Sequence, residues 1–175
     1  MVIFKQNTII MCIFYHASSE SYVVGQTISV NSFQGETTRD HARRSPEEQK
    51  VNDLLDENRP QNVYSRRRCI FLFDNLQQCR YYATKLQRDD IRIYRTHSND
   101  IVFGGYPICL VNKVYNTPLE TSNKYILEYW LPTPKRWKFK EYLAKSIIID
   151  EIIDFQANHY SNDYLDDQDT LRNFQ

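Results

Sequence analysis

Three short fragments, far apart in the sequence, each place a side chain that could take part in binding or catalysis at the end of an apolar run. They are residues 14–18 (FYHAS), residues 70–82 (IFLFDNLQQCRYY) and residues 140–143 (KEYL). Together they supply a histidine, paired aromatic rings and a carboxylate. Aromatic rings stack well on planar cations, and a carboxylate stabilises positive charge that develops on a sugar. The fragments therefore indicate a site for a flat cationic ring attached to a sugar.

The composition is that of one folded domain. The chain has 175 residues, of which 41% are hydrophobic and 25% charged, enough to bury a core. We assign the domain to residues 1–157 and expect a polar C-terminal tail over residues 158–175. Because 22 Lys and Arg balance 22 Asp and Glu, no overall charge attracts nucleic acid or membrane. The 13 tyrosines and 9 phenylalanines suit a ligand groove or an interface as well as a core.

Several classes of site are excluded by motifs that the chain lacks. The four cysteines form no C-x-x-C pair, so we expect no metal and reduced thiols in a cytoplasmic protein. The four glycines form neither a G-x-G-x-x-G nor a Walker motif, which argues against a Rossmann enzyme and a P-loop NTPase. H-E-x-x-H and G-x-S-x-G are also missing.

The apolar N-terminal stretch over residues 9–15 is too short to span a bilayer. A signal-peptide core is the competing interpretation, but the polar flanks favour a buried strand. We therefore expect no membrane association. Met11 is an alternative start, which would put this strand at the beginning of the chain.

The remaining pattern predicts an α+β domain whose core is a split, mainly antiparallel sheet with a few flanking helices. The polar stretch 31–44 is interpreted as a loop that could close over a ligand. A turn is expected at residues 104–107. Helices are predicted at 46–57, after the capping residue Ser45, and from Asp74 or Asn75 to about Gln87. Strands are predicted to end near Tyr15 and to cover residues 22–30, 69–73, 91–95, 108–115, 125–130, 137–143 and 146–153.

The three fragments resemble motifs of the ADP-ribosyltransferase superfamily, in its diphtheria-toxin and poly-ADP-ribose-polymerase branch with a His-Tyr-Glu signature. Residues 15–18 (YHAS) are similar to the Tyr/Trp-His-Gly-Ser/Thr pattern that ends a strand in that branch, and Gly25 could be its later glycine. Residues 69–74 (CIFLFD) and 79–82 (CRYY) match a strand and the following helix at the same spacing. Residues 141–144 (EYLA) look like the late strand that opens with glutamate.

This resemblance implies a role for each residue, with NAD as the co-substrate. His16 would bind a ribose hydroxyl, and the backbone of Ala17 would hold the nicotinamide amide. Phe71 and Tyr82 would form the two walls around the nicotinamide ring. Glu141 would bind the nicotinamide ribose and stabilise its oxocarbenium-like charge. The cofactor-binding set implied in this way is His16, Ala17, Ser18, Gly25, Arg67, Phe71, Cys79 and Tyr82, and the catalytic pair is Glu141 and His16.

The chain departs from the family pattern at three positions. Ala17 replaces a glycine, Phe71 replaces the tyrosine of the signature, and Cys79 stands where a hydroxyl usually contacts the carboxamide. A thiol is a weak donor for that contact. Glu128 is a rival carboxylate, because it too interrupts a β-like stretch.

Two basic segments are candidates for binding phosphates. Arg66 and Arg67 shortly precede the second fragment, and an arginine there could bind the pyrophosphate of NAD or a nucleic-acid phosphate. Arg136, Trp137 and Lys138 alternate cations with an aromatic ring, as surfaces that bind single-stranded nucleic acid do. A lysine-protected edge strand would show the same pattern. We interpret Arg66, Arg136, Trp137 and Lys138 as acceptor-binding residues.

The expected function is mono-ADP-ribosylation of a macromolecular acceptor, nucleic acid or protein, by a toxin of a toxin–antitoxin or phage-defence system. Such a protein would have an antitoxin or inhibitor as its partner. Two alternatives remain open. One is an RNA or NAD phosphotransferase of the same fold that relies on arginines, and the other is a catalytically inactive module that binds NAD or nucleic acid.

Overall fold

A computed structural model describes residues 12–30, 46–85, 89–106, 118–130 and 140–155. Within them, seven strands form one antiparallel sheet, with three α-helices against it. The predicted α+β class with an antiparallel sheet is therefore confirmed. The strands are β1 (Ile13–Ser18), β2 (Thr27–Ser29), β3 (Ile70–Phe73), β4 (Arg92–His97), β5 (Ile101–Tyr106), β6 (Glu141–Ala144) and β7 (Ser146–Ile153), and the helices are α1 (Pro46–Glu57), α2 (Leu76–Lys85) and α3 (Leu119–Trp130).

The sheet has the strand order β2-β7-β4-β1-β3-β6-β5. Strands β1 and β4 are paired along their whole length, from Ile13 opposite His97 to Ser18 opposite Arg92. In contrast, β1 and β3 are paired at a single position, Tyr15 opposite Phe73. The sheet thus consists of two well-paired parts, β2-β7-β4-β1 and β3-β6-β5, which meet at a short junction.

Both parts of the sheet contribute to one apolar core. Phe14 and Tyr94 of one part are buried in the same cluster as Leu72 and Ala144 of the other. The rings of Phe14 and Tyr142 lie 5.0 Å apart across the two parts. The sheet therefore has an inner face, which this cluster covers, and an outer face.

The helices cover the outer face. Helix α2 packs Cys79 and Ala83 on Ala17 of β1 and Ile93 of β4. Helices α1 and α3 form a separate cluster on the other part of the sheet, where Trp130 Nε1 also donates a hydrogen bond of 2.7 Å to the Leu55 carbonyl. That cluster contains Leu55, Ile126, Tyr129, Trp130 and Leu143.

Two sequence predictions are wrong. Residues 125–130, predicted as a strand, belong to helix α3, because its buried residues Ser122, Ile126, Tyr129 and Trp130 recur at helical spacing. The predicted turn at residues 104–107 is replaced, up to Tyr106, by strand β5. There Gly104 serves close packing: a Cβ atom at this position would lie 2.7 Å from Cε1 of Tyr142.

Other predictions hold in part or concern residues that the structure does not describe. Helix α1 has the predicted bounds, and the strand predicted over residues 22–30 is restricted to β2. Within the described ranges, no helix combines the length and the apolar character needed to cross a bilayer. The loop at 31–44, the strand at 108–115, Met11 and the tail at 158–175 lie outside the described residues.

Candidate functional site

The three fragments lie on three neighbouring strands of the sheet. Tyr15 of β1 is opposite Phe73 of β3, and Phe73 is opposite Glu141 of β6. Segments separated by more than fifty residues are thus brought side by side at the β1–β3 junction. Their adjacency depends on the long-range pairing of the strands.

The pairing also shows which face of the sheet each side chain occupies. Directly opposed residues share a face, and successive residues of a strand alternate between faces. Glu141 therefore shares the outer face with Phe73 and Tyr15, whereas His16 points to the inner face, where its ring stacks on that of Tyr22 at 6.5 Å. The expectation that the imidazole and the carboxylate face one common cleft is not met.

His16 bridges the β1–β3 junction through its side chain. Its Nδ1 atom lies 2.9 Å from the carbonyl oxygen of Phe71. A carbonyl can only accept, so Nδ1 carries the proton, and in the neutral ring Nε2 is then an acceptor. That atom could accept a hydrogen bond from a hydroxyl, as a role in ribose binding requires.

Glu141 is held in a buried ion pair. Only 2% of the residue is exposed. Its Oε1 atom accepts hydrogen bonds from Nη1 of Arg66 and from the hydroxyl of Tyr129, and Nη1 of Arg66 also donates to that hydroxyl. Three elements, the 3-10 helix Arg66–Arg68, helix α3 and strand β6, are joined in this way.

The surroundings of Glu141 change its acidity in two opposing directions. Burial raises the pKa of Glu141 above its ordinary value of 4.5, because the charged form loses its hydration. The charge and the hydrogen bond of Arg66 act against this effect. Arg66 thus favours the ionised form of Glu141, which is the form that can stabilise positive charge on a substrate.

Phe71 connects the two halves of the predicted site. Its carbonyl accepts the hydrogen bond from His16, while its half-buried ring lies 4.7 Å from the guanidinium carbon of Arg66. Tyr82 of α2 is also half-buried, and its ring lies 5.2 Å from that of Phe73. Phe71, Tyr82 and Glu141 thus border the same outer side of the junction.

Four other residues that were predicted to bind the cofactor are less favourably placed for contact with a ligand at the β1–β3 junction. Ala17 and Cys79 are buried in the cluster under α2, so in this arrangement the Cys79 thiol cannot reach a carboxamide. The hydroxyl of Ser18 accepts a hydrogen bond from the Glu20 backbone. Gly25, with φ of 85°, donates its backbone N–H to Ile149 on β7, two strands away from β1. Gly25 is therefore not brought to the junction.

Of the predicted phosphate- and acceptor-binding residues, the structure describes the side chain of Arg66 alone. Arg66 is 5% exposed and bonded to Glu141, so it forms no part of an acceptor-binding surface. Arg67 lies in the 3-10 helix, but its side chain is outside the described part of the chain. Arg136, Trp137 and Lys138 also lie outside the described residues.

The sequence interpretation missed Tyr129. It was placed in a strand, whereas helix α3 carries it into contact with Glu141. The signal was present, because Ser122, Ile126, Tyr129 and Trp130 have the spacing of one helix face. The rival carboxylate, Glu128, lies next to it on the same helix and is half-buried.

Comparison with models of known protein families finds no match, and neither does comparison with curated proteins. Among the residues that the structure describes, no three His, Cys, Asp or Glu side chains are grouped so as to hold a metal ion.

Proposed function

We propose that this protein is a mono-ADP-ribosyltransferase that transfers ADP-ribose from NAD to a macromolecular acceptor. One observation carries the proposal: the three fragments that resemble the His-Tyr-Glu motifs lie on neighbouring strands β1, β3 and β6. If the resemblance of each fragment were accidental, we would not expect all three fragments to lie side by side at one junction of the sheet.

The single residue pair between β1 and β3 supports a binding site at this junction. A ligand that separates two strands must break few ladder hydrogen bonds where the strands are paired at one position only. Phe71 contacts both sides of this junction. Its carbonyl oxygen accepts the hydrogen bond from His16, and its ring contacts Arg66, the partner of Glu141. NAD in the junction would meet His16 from the inner side and Phe71 and Glu141 from the outer side.

The reaction breaks the bond between C1′ of the nicotinamide ribose and N1 of nicotinamide. The bonding electrons go to nicotinamide, whose positive charge is thereby neutralised, and positive charge develops on the ribose. The carboxylate of Glu141 stabilises that charge. A nucleophile of the acceptor bonds to C1′ and releases its proton, so that ADP-ribose is transferred and nicotinamide leaves.

The acceptor is a nucleic acid or a protein, and the setting proposed for this activity is a toxin of a toxin–antitoxin or phage-defence system in the cytoplasm. A toxin that acts in its own cell needs an antitoxin or inhibitor. The proposal rests on the chemistry of the site and on the resemblance of its motifs.

The test is incubation of the protein with labelled NAD and a cell lysate, followed by separate digestion with nuclease and protease. We expect label in macromolecules with the wild type and at least about 100-fold less with Glu141→Gln, which removes the stabilising charge. Glu128→Gln is the control, because it neutralises the neighbouring carboxylate on α3 and should retain activity. Release of the label by nuclease or by protease identifies the acceptor.

A module that binds NAD without turnover is the second candidate, and the burial of Glu141 favours it. The carboxylate is 2% exposed, and an enclosed carboxylate contributes nothing to catalysis unless the substrate reaches it. Calorimetric titration with NAD separates the two functions: binding without labelling or nicotinamide release supports the module and overturns the transferase.

A further inference from the structure

We infer that Arg66 and Tyr129 are positioning residues, which hold the carboxylate of Glu141 by one oxygen and leave the other oxygen for the substrate ribose. This inference rests on the proposed transferase activity and extends it to two residues outside the motifs. Neither residue needs to touch NAD.

The geometry of the hydrogen bonds supports this division of the carboxylate. Both donors, Nη1 of Arg66 and the hydroxyl of Tyr129, bond to Oε1. Within the described part of the chain, neither Arg66 nor Tyr129 donates to Oε2, and the Glu141 carboxylate accepts no other hydrogen bond there. A carboxylate held by one oxygen has a defined orientation and keeps lone pairs of the other for a ribose hydroxyl.

Arg66 is itself held rigidly, as a positioning residue must be. Its guanidinium contacts two rings, with its carbon 4.7 Å from the ring centre of Phe71 and 4.8 Å from that of Tyr129. Its backbone N–H donates to Oδ1 of Asp56 at 2.9 Å, which ties the 3-10 helix to α1. The direction of the donor toward Glu141 is therefore determined by three elements of the fold.

The charge of Arg66 also supports a positioning role, through its effect on the pKa of Glu141. Burial raises the pKa of Glu141, and Arg66 lowers it. Among the described residues, Arg66 on the 3-10 helix is the one charged group that contacts this carboxylate, and Tyr129 on α3 is the one other titratable contact. Loss of Arg66 should therefore increase the fraction of protonated Glu141, which cannot stabilise an oxocarbenium ion.

The test compares Tyr129→Phe, Arg66→Lys and Arg66→Gln with the wild type in NAD hydrolysis and labelling. We expect Tyr129→Phe to lower kcat about tenfold with little change in KM, because it removes one hydroxyl and keeps the ring. Arg66→Gln should lower kcat further and move the acidic limb of the pH–rate profile to higher pH. Arg66→Lys, which retains the charge, should restore part of that shift.

Tyr142→Phe is the control, because it removes a tyrosine hydroxyl from the next residue of β6 on the opposite face. It should leave kcat and the pH profile unchanged. Circular dichroism identifies variants that fail to fold, and Tyr129→Phe remains informative if the arginine variants do.

The outcomes separate the two proposals. A wild type that neither hydrolyses NAD nor labels an acceptor overturns the transferase and, with it, the catalytic role of the pair. An active wild type with unchanged kcat and pH profile in Tyr129→Phe and Arg66→Gln overturns the positioning role alone. A rise in kcat in Arg66→Gln also overturns it, and would mean that Arg66 blocks the carboxylate.

Discussion

The Nδ1 atom of His16 lies 2.9 Å from the carbonyl oxygen of Phe71, so an imidazole links β1 to β3 just beyond their one paired position. At this junction a side chain does what ladder hydrogen bonds do elsewhere in the sheet. The motif histidine therefore has a structural partner as well as a proposed ligand. Substitution of His16 should therefore lower both the stability of the fold and the affinity for NAD, and separate measurements can distinguish the two effects.

We predict that His16→Ala destabilises the fold by about 1 kcal/mol, the net value of one partly buried hydrogen bond. It should also weaken NAD binding by about tenfold or more, since a hydrogen-bonding group for the ribose is lost. Urea unfolding measures the first effect, and calorimetric titration with NAD measures the second.

His97→Ala is the control for this variant. His97 is also a half-buried histidine of the sheet, and its Nδ1 lies 2.7 Å from Oδ1 of Asp150 on β7. A similar loss of stability with unchanged NAD affinity is expected. Equal weakening of NAD binding in both variants would mean that the His16 effect comes from general destabilisation.

Much of the fold follows from local sequence patterns. The start of α1 at Pro46, the alternating residues of β4 and the extent of β7 are predicted correctly, because these signals arise within a few residues. Helix α3 was missed because its aromatic and β-branched residues resemble a strand. Strand β5 was missed because its two glycines resemble a turn, whereas Gly104 accommodates the Tyr142 ring.

The site was harder to predict than the elements. The motifs indicated which segments meet, and β1, β3 and β6 are indeed adjacent. The register was not readable from the sequence, and a shift by one residue moves a side chain to the other face. This is why His16 and Glu141 were expected together but lie on opposite faces. The Arg66–Glu141 pair likewise depends on packing between distant elements.

Glu141→Gln should change how stability depends on pH. Since burial raises the pKa of Glu141 above 4.5, the folded state retains this proton more tightly than the unfolded chain does. The corresponding stabilisation is complete below the unfolded pKa and is lost as pH rises through the folded pKa. Glutamine does not titrate, so the stability of wild type relative to Glu141→Gln should decrease with increasing pH over this window.

The measurement is urea unfolding of both proteins at a series of pH values from about 4 to about 8, which brackets the ordinary glutamate pKa. A relative stability that increases with pH would contradict the prediction. It would mean that the Arg66 ion pair outweighs burial and that the folded pKa lies below the unfolded one.

The described cysteines should differ strongly in reactivity, because the thiolate is the reactive form. Cys12 is exposed, whereas burial raises the pKa of Cys69 to about 12 and also raises that of the fully buried Cys79. Alkylation with iodoacetamide at about pH 8, followed by peptide mass spectrometry, should therefore modify Cys12 first and Cys79 last. All should react alike in urea. Modification of folded Cys79 as fast as Cys12 would show that α2 does not cover it.

Gly104→Ala should destabilise the protein by about 1–3 kcal/mol through overpacking. The added methyl group would collide with Cδ1 and Cε1 of the Tyr142 ring, the latter at 2.7 Å. Truncation of that ring should remove the collision, so Gly104→Ala should cost much less in a Tyr142→Ala background. Gly25→Ala is the control, because it has a φ of 85° and no neighbouring atom within 4 Å. Its cost of about 1 kcal/mol arises from the backbone and should be the same in both backgrounds.

Urea unfolding of these single and double variants measures the coupling energy between position 104 and position 142. Equal costs of Gly104→Ala in both backgrounds would contradict the packing of Tyr142 on β5.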